Sequence, residues 1–83
     1  MLIKLHEVAG CAWYNLNTRK DYEDGIKFAI DNMPVNYVGT KKECALYLID
    51  KVQIATNNAI NNPSLYLGCI ALYNAMIKEL LTV

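Results

Sequence analysis

Apolar side chains recur every three or four positions through most of this chain, the spacing of helices that turn one face inward. The first such run covers residues 2–16. Leu2, Leu5, Val8, Ala9, Ala12, Trp13 and Leu16 share a face, while Lys4, Glu7, Cys11 and Asn15 fall on the other side. Gly10 interrupts it at a cost of about 1 kcal/mol relative to alanine. Residues 1–5 also alternate, so a short opening strand through Leu5 is the alternative. A second run begins at Thr18, read as an N-cap, with Asp21, Glu23 and Asp24 in the early turns, where acid suits the positive end of the helix dipole. Its stripe is Tyr22, Ile26, Ala29, Ile30 and Met33. Glu23 and Lys27 stand one turn apart, and Pro34 stops the helix. Residues 33–39 form the longest connection. They carry Val35, Tyr37 and Val38, and are expected to lie against the body.

The third run has the clearest start. Thr40-Lys41-Lys42-Glu43 spells a capping box, and the helix is predicted to continue to residue 61. Ala45, Leu48, Ile49, Val52, Ala55, Ala59 and Ile60 make its stripe; Leu46, Tyr47 and Ile54 lie off it. Asn61-Asn62-Pro63-Ser64 is the sharpest break, with Asn62 as cap and Pro63 at the first helical position. The fourth run, from Pro63 to Leu81, is apolar or aromatic from Leu65 onward except at Gly68, Asn74, Lys78 and Glu79.

Short connections favour antiparallel neighbours. The expected fold is therefore all-α, a small four-helix bundle in one domain, residues 1–83, with the hydrophobic C-terminal helix at its centre or at a subunit interface. A helix that is apolar all round must be buried all round, and three short helices are expected to cover a fourth only in part. The uncovered remainder calls for a second copy or another protein. At about 25 cal/mol per Å2, some 400 Å2 of further burial is worth about 10 kcal/mol before association entropy. The same run is too short for the roughly 20 apolar residues of a bilayer crossing, so it reads as a core helix with no membrane span.

Composition narrows the functions. Of 83 residues, 54% are hydrophobic and 19% charged, which excludes an intrinsically disordered chain. Eight basic and eight acidic side chains cancel, leaving no field to draw in nucleic acid or an anionic membrane. Lys4 and Glu7 break up any leader-like apolar start, so a cytoplasmic location is expected. An excess of lysine over arginine, with many Asn, Ile and Tyr, fits AT-rich coding such as that of a low-GC bacterium or its phage.

Chemistry is sparse. Cys11, Cys44 and Cys69 contain no CxxC pair and read as buried or half-buried thiols, with one bridge plus a free thiol as the alternative. His6, the only histidine, stands about 140° round a helix from Cys11 and reads as a partly exposed helix residue. Asp21, Glu23 and Asp24 read as a solvated helix start, not a metal site. Gly10, Gly25, Gly39 and Gly68 stand alone, so no phosphate loop can be drawn, and Ser64 is the only serine. Lys41, Lys42 and Lys51 read as a solvated face. No catalytic, cofactor-binding or metal residue is assigned, and neither a cofactor nor a nucleic-acid partner is expected.

The aromatic residues carry more. Tyr14, Tyr22, Tyr37, Tyr47, Tyr66 and Tyr73, with Trp13, present rings with polar tips, the type enriched at binding hot spots. The interface candidates are Tyr37, Leu46, Tyr47, Ile54, Tyr66 and Tyr73. The expected function is that of a small non-enzymatic interaction or inhibitor protein, of the kind phages and mobile elements use against host defence or for host takeover, working as a homodimer or with a protein partner. One alternative is a small-molecule, nucleotide-like binding module between subunits, using tyrosines with Lys41 and Lys42. Another is a bacterial immunity-type helical bundle.

Overall fold

A computed structural model describes residues 1–16 and 22–82. Its elements are β1 (Leu2–Lys4), α1 (Leu5–Asn15), α2 (Glu23–Asp31), β2 (Asn36–Val38), α3 (Lys41–Asn58) and α4 (Pro63–Leu81). The fold is mostly helical, and the all-α expectation is corrected by one small sheet. β1 and β2 pair antiparallel, with Leu2 opposite Val38, Ile3 opposite Tyr37 and Lys4 opposite Asn36. Alternation explains the ribbon: Ile3 and half-buried Tyr37 turn inward, while the residues on either side of each face water. The first helix accordingly starts at Leu5 and not at Leu2.

The ribbon is tied down at both ends. Gly39, at φ 154°, lets the chain turn from β2 into α3, and its N–H donates to the Met1 carbonyl at 2.9 Å. His6 is half-buried. Its Nε2 donates to the Met33 carbonyl at 3.1 Å and its backbone N–H to Val35 at 3.4 Å, so it pins α1 to the segment that follows α2.

Helix ends follow the local signals unevenly. Thr18 and Asp21 lie outside the described residues; α2 is seen from Glu23, with Glu23 and Asp24 in its first turn. The capping box forms in full: Glu43 N–H donates to Thr40 Oγ1, and Thr40 N–H to Glu43 Oε1, each at 3.1 Å. The Thr40 backbone N–H foremost, and the Thr40 hydroxyl after it, hold the Glu43 carboxyl below its usual range. Thr40→Ala is expected to lower stability by about 1 kcal/mol, read as a shifted urea midpoint at unchanged m-value. α3 ends at Asn58, three residues short of expectation, with Ala59 as its C-cap. Asn62 forms no side-chain cap; its Oδ1 instead accepts from Ser64 Oγ at 3.3 Å, while Pro63 opens α4 as expected.

The core is built from Leu5, Ile26, Leu48, Leu72 and Met76, all fully buried, and α4 packs against α1, α2 and α3. α2 meets α4 through two glycines. A Cβ on Gly68 would sit 2.6 Å from the Tyr22 carbonyl oxygen and 2.9 Å from Gly25 Cα, and a Cβ on Gly25 would strike the Leu65 carbonyl oxygen. Beside this crossing the Cys69 thiol donates to the Gly25 carbonyl at 3.2 Å.

This close approach lets α1, α2 and α3 cover much of α4, though its flanks stay half-open. Cys69, Leu72, Met76 and Leu80 are buried, and Leu65, Tyr66, Ile70, Tyr73 and Ile77 half-buried. Leu67 at 43% and Leu81 at 59% are its large apolar side chains left exposed. Exposed apolar surface lies elsewhere, on α3 (Leu46, Ile49, Ile54) and around the ribbon (Met1, Leu2, Val35, Val38). Among the described residues no helix is long and apolar enough to cross a membrane.

Candidate functional site: an aromatic cleft between α3 and α4

Residues at heptad-like spacing on α3, namely Tyr47, Lys51, Ile54 and Asn58, form one stripe along the helix. Tyr66, Cys69 and Tyr73 form the facing stripe on α4. Between them, with Phe28 of α2 closing one side, is a cleft of about 160 Å3. Phe28 meets Tyr66 edge to face, ring centroids 5.9 Å apart at 78°. Tyr47 adjoins the cleft and packs on Tyr37 of β2 at 5.4 Å, and Lys51 Nζ stands 5.4 Å from the Tyr47 ring centre.

Five of the six interface candidates thus come together: Tyr37 and Tyr47 as a stacked pair, and Ile54, Tyr66 and Tyr73 in the cleft. Leu46 does not join them. At 100° per residue it falls on the outer face of α3, one turn from exposed Ile49. Phe28, Lys51 and Asn58 were not anticipated as part of a site. Phe28 gave one signal, a large apolar ring off the Ile26–Ala29–Ile30 stripe, and Lys51 another, one turn from Tyr47.

The floor of the cleft is apolar and its fringe polar. Burial, aided by the nearby Cys69, Tyr47 and Tyr66, pushes the Tyr73 phenol up to about 12, so it is neutral at physiological pH and donates or accepts without charge. Burial likewise raises the Cys69 thiol, partly offset by a backbone hydrogen bond, and the Cys44 thiol. Ile54, 47% exposed, is the open apolar edge of the cleft.

The remaining chemistry-bearing residues are dispersed. Cys44 and Cys69 are buried free thiols; Cys11 is exposed, against the expectation of burial, because it faces away from Ala9 and Ala12 on α1. His6 Nε2 is engaged by the Met33 carbonyl. Among the described residues no three of His, Cys, Asp and Glu gather as a metal site would need, and of the Asp21, Glu23, Asp24 cluster Asp21 lies outside those residues. A second, wider groove of about 530 Å3 runs along β1 and shares no residue with the cleft.

No family model, no curated protein and no solved structure matches this chain.

Proposed function

We propose that the chain is a small non-enzymatic interaction protein of inhibitor type that docks on another protein through the α3/α4 cleft, and that it works as a homodimer or in complex with that partner. The observation that carries this reading is the convergence of Ile54, Tyr66, Tyr73 and Phe28 on one cleft with an apolar floor and a polar fringe, with Tyr47 beside it. Its volume of about 160 Å3 falls below the roughly 300 Å3 at which small-molecule sites begin, and suits a single anchoring side chain. The nucleotide-like alternative is less well supported. Lys41 lines the wide groove, where Glu7 and Glu79 oppose a phosphate, while the rings that would stack lie in the cleft. The proposal extends to a cytoplasmic setting and to a role as a phage or mobile-element accessory factor. It also includes antiparallel helix neighbours, with α4 central to the bundle. Leu46, with Ile49, is proposed as a smaller second contact.

Ile54→Asp tests the reading. Native-level purification is expected to retain a stoichiometric protein with the wild type and to lose it at least 10-fold with the variant, while helical content is unchanged, because Ile54 is already half in water. Leu46→Asp is expected to reduce capture less. Equal capture by wild type and Ile54→Asp overturns the assignment of the cleft.

A further inference from the structure

We infer that the open edge of β1, with the groove beside it, is the contact between two copies of this chain, joined about a two-fold axis as a four-stranded sheet with the two β1 strands antiparallel at its centre. This extends the homodimer part of the reading above and uses a surface separate from the cleft.

The ladder shows which backbone groups are free. Gly39 N–H donates to the Met1 carbonyl, so Met1 and Gly39 are a hydrogen-bonded pair, and in an antiparallel ladder Ile3 and Tyr37 are the next. The N–H and C=O of Leu2 and the N–H of Lys4 are therefore free on the side away from β2, while the Lys4 carbonyl, at the N-cap, accepts the first bond of α1. The groove lies on that side, since Met1 through Lys4 line it and no residue of β2 does. A two-stranded ribbon is marginal in water, and an unpaired edge is a template for another strand. One register joins free groups on both edges: Leu2 opposite Lys4 of the copy and Lys4 opposite its Leu2, with Ile3 at the axis, so that each Lys4 N–H donates to the Leu2 carbonyl across the axis and each Leu2 N–H shares the Lys4 carbonyl it faces with α1. The apolar Leu2–Val38 pair, 56% and 79% exposed, then continues across the sheet.

Charge selects the occupant. The groove carries Lys4 and Lys41 together with Glu7 and Glu79, the last held by a 2.9 Å hydrogen bond from Asn15 Nδ2. A partner of one sign meets repulsion from half of this set. A two-fold copy presents the same two cations and two anions, so each lysine can face a carboxylate of the other chain, which is the self-complementarity an isologous interface requires.

Sedimentation equilibrium of the wild type is expected to give twice 9.4 kDa. Leu2→Pro removes an edge donor without touching the ladder to β2, and is expected to raise the dimer dissociation constant at least 10-fold with helical content and Tm retained. Two charge variants test the pairing independently of the backbone. Lys4→Glu with Lys41→Glu, and Glu7→Lys with Glu79→Lys, are each expected to be monomeric alone and to form a heterodimer when mixed. Ile54→Asp is expected to leave the dimer intact. A wild type that stays monomeric at millimolar concentration overturns the inference, even if partner capture through the cleft persists. So does a dimer that ignores Leu2→Pro and both charge variants, or one that Ile54→Asp abolishes.

Discussion

Gly68→Ala is expected to destabilise the fold by about 2–3 kcal/mol, lowering Tm by roughly 10–20 °C for a domain of this size. Helix propensity alone predicts the reverse, since alanine in place of a helical glycine gains about 1 kcal/mol. Packing wins because the added methyl meets backbone on every side: the Tyr22 carbonyl and the Cα and carbonyl carbon of Gly25. Backbone cannot swing aside as a long side chain can, so α2 and α4 must part, opening the contact that buries Ile26 and weakening the Cys69 bond to Gly25. Gly10→Ala is the control of opposite sign. Nothing lies within 4 Å of a Cβ there, and the substitution is expected to raise stability by about 0.5–1 kcal/mol. Thermal unfolding of the two variants beside the wild type decides the matter: a Gly68→Ala protein as stable as the wild type removes the close crossing.

Alkaline pH is expected to produce the second large loss. Burial raises the Tyr73 phenol to about 12 and lifts the Cys44 and Cys69 thiols above their ordinary value. In the unfolded chain these groups release protons near their usual values of about 10 and 8.5. The native state binds more protons across the interval, so stability falls as pH rises. The contribution is complete below about pH 8 and disappears for Tyr73 between pH 10 and 12. A shift of this size corresponds to at most about 2.7 kcal/mol, and partial exposure of the ring brings Tyr73 to about 1–2 kcal/mol. Urea midpoints at pH 8 and pH 11.5 measure it. Tyr73→Phe is expected to retain its midpoint at pH 8 and to lose less than the wild type at pH 11.5. Equal losses in both proteins remove Tyr73 as the cause.

Local signals in the chain place the starts of the third and fourth helices. The capping box at Thr40 and Glu43 is read off four consecutive residues, and Pro63 marks the start of α4 unaided. The ribbon was not legible in the same way, because Leu2 finds its partner in Val38 and no local pattern names a strand's distant neighbour. Small residues misled most. Gly25 and Gly68 stood alone in the sequence and served only to exclude a phosphate loop, yet they let α2 press against α4. The cleft was half legible. Tyr47 and Ile54 stood out as apolar residues off the core stripe, but off-stripe positions fall on either flank of a helix, and only the position of α4 separates them from Leu46.

The ribbon also bears on the order of assembly. Pairing Leu2 with Val38 closes a loop of about 35 residues, at roughly 3 kcal/mol of chain entropy. α3 and α4 are joined by a tight turn and find each other locally. The second half of the chain is therefore the expected nucleus, and the N-terminal strand the last piece to dock. Amides of Ile3 and Tyr37, which bond across the ribbon, should then exchange with deuterium well before those of Leu48 and Leu72 in the same molecule.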